Sequence, residues 1–218
     1  MAENAEKKEH KLMVLISGSG TNLQALIDAC GTAPLENARI THVISNKKNA
    51  YGLTRAQNAN IPTTYHNLVT HGYKKSHPDS IDKAREAYDV DLAKLITENS
   101  PKPDLVVCAG WMHILSPKFI DALTAANVPI INLHPALPGQ FDGANAIGRA
   151  WEAYQRGEIA ATGVMIHHVI TEVDRGEPIV VEEVPCRDCE TESDLEERIH
   201  KVEWRLIVQG TAKALGNV

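Results

Sequence analysis

Short apolar runs alternate with amphipathic segments along most of the chain, and this alternation constrains the fold more than any other feature. Continuous apolar runs are typical of strands buried on both faces, and their alternation with helices predicts a mostly parallel sheet covered on both sides. The predicted strands are 11–17, 40–45, 63–66, 104–109, 130–133, 162–169 and 179–184. The predicted helices are 22–30, 53–60, 81–99, 117–126, 146–156 and 194–215. We therefore predict a three-layer α/β fold.

Two connecting segments refine this prediction. The last two predicted strands are joined through 171–177, and so short a connection is typical of an antiparallel pair, which would lie toward the C-terminal part of the sheet. The segment 67–80 is polar and rich in turn residues. We expect it to be a surface loop and not a domain boundary.

Length and composition limit the classes of function. The 218 residues suit one well-cored domain, which we place at 11–218, after a flexible segment at 1–10. The formal charge of -6 argues against an extended nucleic-acid or membrane surface, although it allows a local phosphate pocket. No apolar run approaches the length of a membrane-spanning helix, and the four cysteines are too few for a disulfide scaffold. We expect a soluble, cytoplasmic protein with reduced thiols.

The clearest candidate for chemistry lies where the fifth predicted strand ends. Asn132 and His134 stand at alternate positions, so both side chains point to one side of the strand, and the proline-rich segment 135–139 that follows excludes a helix. Open α/β sheets bind ligands at the carboxyl ends of their strands, so this amide and imidazole indicate chemistry on a carbonyl group. Taken alone, the two residues also fit a turn cap and a half-buried loop histidine.

A second candidate is the glycine-rich turn 17–22, with the sequence Ser-Gly-Ser-Gly-Thr-Asn, between the first predicted strand and helix. Its glycines allow close backbone approach, and Thr21, Asn22 and the free N–H groups at the helix start predict an anion site that suits a phosphate. The turn does not match the dinucleotide fingerprint, because Leu23 occupies the third glycine position, and it is not a Walker motif. The alternative is a structural tight turn with Asn22 as the helix cap.

Asp174 is a third candidate, in a loop that follows the predicted strand bearing His167 and His168. A carboxylate near an imidazole favours the protonated ring and orients it, as a histidine that acts as an acid near neutral pH requires. The Asp-Arg-Gly sequence is also common in ordinary turns. The two adjacent histidines lie on opposite faces of their strand, so they cannot share one metal, and packing or capping suits them better.

The order of these motifs is more specific than any one of them. The runs LISGSGTNLQALID, AREAYD, CAGWMHILSP, INLHPALPG and TEVDRGEP resemble glycinamide ribonucleotide formyltransferases, folate-dependent enzymes of purine synthesis, and the resemblance extends from residue 11 to about 215. It implies a Rossmann-like formyltransferase fold and transfer of the formyl group of 10-formyltetrahydrofolate to the amine of glycinamide ribonucleotide. These two small molecules are the expected partners, without nucleic acid, membrane or metal, and a homodimer is compatible with the resemblance.

The resemblance also assigns roles to individual residues. The catalytic trio of the family matches Asn132, His134 and Asp174. The phosphate and the rest of the ribonucleotide are assigned to the glycine-rich turn and the final predicted helix, through Gly20, Thr21, Asn22 and Glu203. The folate site is assigned to Arg85, Met112, His113, Ile114, Leu115 and Asn132.

Two departures from the family pattern affect these assignments. Many members carry Arg where this chain has His113, and because pterin binding there uses mainly backbone groups, we expect the substitution to be mild. The loop 136–145 reads ALPGQFDGAN, whereas many members have two leucines before the proline and a histidine after the following glycine. The resemblance therefore assigns no ligand contacts to this loop.

The implied chemistry is acyl transfer, in which the substrate amine attacks the formyl carbon and negative charge develops on the formyl oxygen. Asn132 as an amide donor and a protonated His134 would stabilise that oxygen, and one such donor typically lowers the barrier by about 3 to 4 kcal/mol. We expect Asp174 to favour the protonated His134 through an ordered water and to help carry the amine proton to the departing folate nitrogen.

Related functions share part of this pattern. Formyltetrahydrofolate hydrolase and the tRNA and sugar-nucleotide formyltransferases use the same trio. The hydrolase resembles this chain with an added N-terminal regulatory domain, and the tRNA enzyme resembles it with an added C-terminal domain; we expect that 218 residues have room for neither. A non-catalytic module that senses a phosphorylated metabolite would need only the glycine-rich turn, and the trio argues against it.

Overall fold

The computed structural model describes residues 8–216, which form a seven-stranded sheet with helices on both faces. The strands are β1 His10–Ile16, β2 Ala38–Ser45, β3 Thr63–Tyr65, β4 Leu105–Cys108, β5 Ile130–His134, β6 Ala161–His168 and β7 Pro178–Pro185. The helices are α1 Thr21–Ala29, α2 Tyr51–Asn58, α3 Tyr73–Ser76, α4 Ile81–Thr97, α5 Pro117–Ala125, α6 Ala146–Gln155 and α7 Glu192–Ala214.

The strands follow the order β3-β2-β1-β4-β5-β6-β7 across the sheet. The five strands from β3 to β5 are parallel, whereas β6 runs antiparallel to β5 and β7 antiparallel to β6. The predicted α/β fold with a mostly parallel sheet and an antiparallel pair near its end is therefore confirmed. The antiparallel pairing of β5 with β6 was not predicted, since a buried apolar run does not reveal the direction in which its strand runs.

Successive residues of the central strand β1 face opposite layers of the protein. Leu12, Val14 and Ile16 are fully buried in one cluster, which includes residues of α1 and α7. Met13 and Leu15 are fully buried in a second cluster, which includes residues of α4 and α5. This alternation follows from the two-residue period of a strand, and it explains why β1 is apolar throughout.

The structure differs from the predicted elements in a few places. The predicted surface loop 67–80 contains the four-residue helix α3. Its N-cap residue, Gly72, adopts a left-handed conformation with φ 88°. Of the segment 1–10 that we expected to be flexible, residues 1–7 lie outside the described part. Lys8 pairs with Asp104 at 2.7 Å, and His10 begins β1. No helix within 8–216 is long and apolar enough to cross a membrane.

The topology identifies one edge of the sheet as the place for a ligand. The chain passes from β1 to β2 on one side and later returns to β4 on the other side of β1. The strand order therefore reverses between β1 and β4. In open α/β sheets, ligands bind in the crevice at the carboxyl ends of the strands beside such a reversal.

Candidate active site

A cavity of about 590 Å³ opens at this reversal point, in the size range of small-molecule sites. Its walls are the glycine-rich turn after β1, the segment 108–115 after β4, the end of β5, the loop after β6 and one face of α7. Segments that are far apart in the sequence thus meet at the carboxyl ends of β1, β4 and β5.

Asn132, His134 and Asp174 come together in this cavity. The first two project from the same side of β5, and Asp174 approaches from the loop after β6. The Asn132 amide donates from Nδ2 to Asp174 Oδ1 at 3.2 Å, and His134 Nδ1 lies 3.3 Å from Asp174 Oδ2. The contact that we expected to run through an ordered water is thus short enough to be direct.

Asp174 is held by contacts on both of its carboxylate oxygens. Its backbone adopts a left-handed conformation with φ 55°, and Oδ2 also accepts the backbone N–H of Gly143 at 2.8 Å. Burial raises the pKa of this carboxyl, but the hydrogen bond from the Gly143 N–H and the charge of the facing His134 ring lower it by more, so the pKa of Asp174 lies below its usual value. Asp174 is therefore a stable anion, suited to facing an imidazolium.

The ring of His134 is fixed from its far side. Its Nε2 lies 3.2 Å from the backbone oxygen of Gln140, in the loop after β5, and an N–H there donates to that oxygen. This bond aims Nδ1 at Asp174 and the cavity. Both ring nitrogens of the buried His134 thus face oxygen acceptors, an arrangement that suits a ring carrying two protons.

The glycine-rich turn brings free backbone groups to the cavity. Gly20 is the N-cap of α1 with φ 73°, and a Cβ there would lie 2.5 Å from the Cα of Gly52, so only glycine fits. Asn22 does not cap the helix, because α1 has no side-chain cap. The alternative interpretation of Asn22 as a cap is therefore wrong, and the N–H groups at the start of α1 are open to an anion.

Asn22 instead contacts the final helix. Its Nδ2 donates to Glu203 Oε2 at 3.2 Å, and its own Oδ1 is buried without a partner among the described residues. Burial raises the pKa of the Glu203 carboxyl. Glu196 and His200 also line the cavity, two turns and one turn before Glu203 on α7, and neither was predicted as a site residue. Their spacing of three and four residues was the available signal.

The segment after β4 forms an apolar wall of the cavity. Met112 and Ile114 line it with 74% and 64% of their surface exposed, and Leu115 lies beside them. The backbone N–H of Met112 donates to Ser17 Oγ at 2.8 Å, which ties this wall to the glycine-rich turn. Ile170 and Val173 line the same cavity and are also exposed. Exposed apolar side chains around an open cavity suit a flat, largely apolar ligand.

The side chain of His113 anchors this wall to α4. Its Nε2 lies 2.7 Å from Oδ1 of the fully buried Asp89 on α4, and Oδ2 of Asp89 accepts the backbone N–H of Ser116 at 2.7 Å. Its ring packs edge-on against Tyr88. The side chain of His113 is thus engaged with the protein, which leaves backbone groups of this segment for a ligand.

Arg85 is the one predicted site residue that does not line the cavity. It lies exposed on α4, one helical turn before Asp89. From outside the cavity lining it could meet only a part of a ligand that extends out of the cavity.

His167 was interpreted from the sequence as a packing or capping residue, but the structure places it within the site. It lines the cavity at the position of β6 that pairs with Asn132, and its Nε2 lies 3.2 Å from Asn132 Nδ2 and 3.4 Å from Asp174 Oδ1. Within 8–216, no three His, Cys, Asp or Glu side chains are grouped as metal ligands would be.

The comparisons with known proteins agree with this geometry. Residues 10–211 match the family model described as formyl transferase. The chain belongs to the formyl transferase family. It is 53% identical to phosphoribosylglycinamide formyltransferase of Schizosaccharomyces pombe, a match that covers 91% of this chain and 93% of the relative. It is 48% identical to the Saccharomyces cerevisiae protein of the same name, with 94% and 97% covered.

A solved structure gives the same result for the fold. The phosphoribosylglycinamide formyltransferase of Streptococcus pneumoniae superimposes with a TM-score of 0.76 at 30% identity, covering 94% of this chain and 98% of that one. The family that the motifs predict is thereby confirmed, together with the formyltransferase fold.

Proposed function

We infer that the protein transfers the formyl group of 10-formyltetrahydrofolate to the amine of glycinamide ribonucleotide, the reaction of purine biosynthesis that its relatives' names denote. The observation that carries this inference is the position of the trio. Asn132, His134 and Asp174 lie in the same cavity as the anion-binding turn and the apolar wall, so one cavity offers a phosphate site, a folate site and acyl-transfer groups.

The ribonucleotide fits the side of the cavity between the glycine-rich turn and α7. Its phosphate would accept hydrogen bonds from the backbone N–H groups at Gly20, Thr21 and Asn22, and the helix dipole of α1 favours a negative charge there. Glu203, with one oxygen engaged by Asn22, offers its other oxygen to ribose hydroxyls. The substrate amine would then point toward the end of β5.

The folate fits the opposite side. Its ring system would lie against Met112, Ile114 and Leu115 and use backbone groups at His113, while Arg85 would meet a negatively charged tail that leaves the cavity. Folate tails carry carboxylates, which suit an exposed arginine. In this placement the formyl group approaches Asn132.

The three residues then have distinct tasks in the reaction. The amine nitrogen attacks the formyl carbon, and the carbonyl electron pair moves onto the formyl oxygen, where an Asn132 N–H and the protonated His134 stabilise it. When the bond to the folate nitrogen breaks, that nitrogen gains a proton and the former amine loses one. The Asp174 and His134 pair is placed to move this proton, because the two groups lie 3.3 Å apart.

We also propose that residues 11–218 act as one catalytic domain in the cytoplasm, where the reduced state of the cysteines would persist. None of the four cysteines, Cys30, Cys108, Cys186 and Cys189, forms a disulfide. The homodimer stays a prediction that sedimentation velocity tests: it predicts a species of twice the 23.9 kDa mass, and a monomer at every concentration would contradict it.

The function is tested by comparing acceptors in a spectral assay of 10-formyltetrahydrofolate consumption. Purified protein should release deformylated folate with glycinamide ribonucleotide and remain near background with water or with an amino sugar nucleotide. Equal release with water would indicate a hydrolase, and preference for the amino sugar would indicate a sugar-nucleotide enzyme. Binding of the ribonucleotide without any release would indicate the non-catalytic module. Asn132→Ala serves as the control for contaminating activity.

A further inference from the structure

His167 lies at the centre of the site and has no role in the chemistry derived above. It stands near the end of β6, directly opposite Asn132 in the antiparallel pairing of β5 and β6. The residue is 2% exposed, so only neighbouring groups and the cavity can contact it. A histidine buried this deeply must be matched to its hydrogen-bond partners.

These partners define which ring nitrogen carries the proton. The Nδ1 of His167 lies 2.9 Å from the backbone oxygen of His168, which can only accept, so Nδ1 carries a hydrogen. In the neutral ring, Nε2 is then an acceptor. The Nδ2 of Asn132, 3.2 Å away, can only donate, so the two groups fit each other. A proton on Nε2 would set two donors against each other and would leave only the longer 3.4 Å contact with Asp174 Oδ1 as its acceptor.

Two acceptors approach the amide nitrogen of Asn132 from neighbouring directions. His167 Nε2 and Asp174 Oδ1 each lie 3.2 Å from this nitrogen and 3.4 Å from one another, so they are separated by roughly 60° as seen from it, whereas the two N–H bonds of an amide diverge by about 120°. One N–H directed between the two acceptors lies roughly 30° from the line to each, so a single N–H can serve both. In that arrangement the second N–H points away from both acceptors and is left for the cavity that Asn132 lines.

We propose that His167 is a positioning residue that orients the Asn132 amide so that its second N–H meets the formyl oxygen. The proposal rests on the role given to Asn132 under the proposed function. With Asp174 alone, the shared N–H would turn toward Oδ1 of the carboxylate, and the second N–H would turn by roughly half of the 60° separation. A hydrogen bond to the developing oxyanion weakens when it is misaligned by this much.

Three variants of His167 separate this role from a structural one. His167→Leu removes both polar contacts at similar volume, His167→Gln can keep an acceptor at the position of Nε2, and His167→Asn can keep only the donor to the His168 carbonyl. His168→Leu is the matched control, since it removes a neighbouring histidine that does not line the cavity. Each protein is compared by kcat, by KM for both substrates and by thermal unfolding.

We expect His167→Leu to lower kcat by about tenfold to a hundredfold while KM for either substrate stays within about threefold, because the second N–H acts in the transition state. His167→Gln should restore most of the lost kcat. His167→Asn should stay as slow as His167→Leu, and His168→Leu should keep a kcat near that of the parent. Restoration by Asn and not by Gln, or an unchanged kcat in His167→Leu, would overturn the proposal.

A double-mutant cycle with Asn132→Ala completes the test. If His167 acts through the Asn132 amide, His167→Leu should slow the Asn132→Ala protein by less than about twofold. A full and independent loss in that background would overturn the proposal while leaving the catalytic role of Asn132 intact. A normal rate for Asn132→Ala itself would instead refute the catalytic role that the proposed function gives to Asn132, so the two failures are distinguishable.

Discussion

Replacing Asp174 with Asn removes one charge from the centre of the site with little change in shape. The Asp174 carboxylate lies 3.3 Å from His134 Nδ1, where an effective dielectric constant of about 20 gives an attraction of about 5 kcal/mol between a carboxylate and an imidazolium. The substitution abolishes this attraction. Both carboxylate oxygens of Asp174 face donors, so the NH₂ group of the new asparagine must face one set of them. It would meet either the Asn132 amide or the pair formed by His134 and the Gly143 N–H.

Loss of 3 to 4 kcal/mol of this interaction in the transition state corresponds to a decrease in kcat on the order of 10²- to 10³-fold. The variant should recover part of its activity at lower pH, because acid favours the imidazolium form that the lost carboxylate had stabilised, until the substrate amine is itself protonated. The parent should show no such recovery, because the low pKa of Asp174 keeps its carboxylate charged through this range.

The assay is the dependence of kcat on pH for parent and variant, with the protonation of the His134 ring followed by NMR in the same samples. Glu172→Gln is the matched control, because it removes a negative charge from the cavity lining two residues away. If Asp174→Asn turns over within twofold of the parent, or if the protonation of His134 is unchanged, the reasoning is refuted and Asp174 is only a turn residue.

Three further outcomes test the substrate sites. Asn22→Ala and Gly18→Ala should raise KM for the ribonucleotide more than for the folate, and equal KM changes for both substrates would contradict this. A Cβ at Gly18 meets no protein atom within 4 Å, so Gly18→Ala should leave the fold unchanged and act on the ligand. Gly20→Ala should instead lower the melting temperature, because its Cβ meets Gly52. Met112→Ser should raise KM for folate severalfold at nearly constant kcat, and a change confined to the ribonucleotide would contradict the placement of the folate. Because burial raises the pKa of Glu203, the contribution of the protonated carboxyl to stability is full below the ordinary pKa and is lost as pH rises through the raised pKa. The melting temperature of Glu203→Gln relative to the parent should therefore increase from about pH 5 to pH 8, and a constant difference would contradict this.

Much of this site was predictable because strand ends can be recognised from the sequence. The apolar run before Asn132 and the prolines after His134 locate the carboxyl end of a strand, and the alternation of the two residues puts both on one side. The apolar run before Ser17 likewise locates the glycine-rich turn at the carboxyl end of the first strand. The roles of single residues came from the order of the motifs and not from their composition.

The remaining contacts depend on tertiary pairing, which local patterns do not encode. His167 enters the site only because β6 runs antiparallel to β5 in the register that sets it opposite Asn132. The contact of His113 with Asp89 joins two segments 24 residues apart, and neither sequence position indicates the other. The exposed position of Arg85 likewise depends on how α4 packs beside the cavity.

The central claim is that Asn132 and His134 stabilise the transferring formyl group and do not serve only to bind substrates. Single-turnover transfer of a ¹³C-labelled formyl group to the ribonucleotide, measured with both substrates saturating, tests this most directly. Asn132→Ala and His134→Ala should bind both substrates within a few-fold of the parent yet transfer the label at least about a hundredfold more slowly, while His168→Ala transfers it normally. Transfer at the parental rate in both Asn132→Ala and His134→Ala would contradict the account.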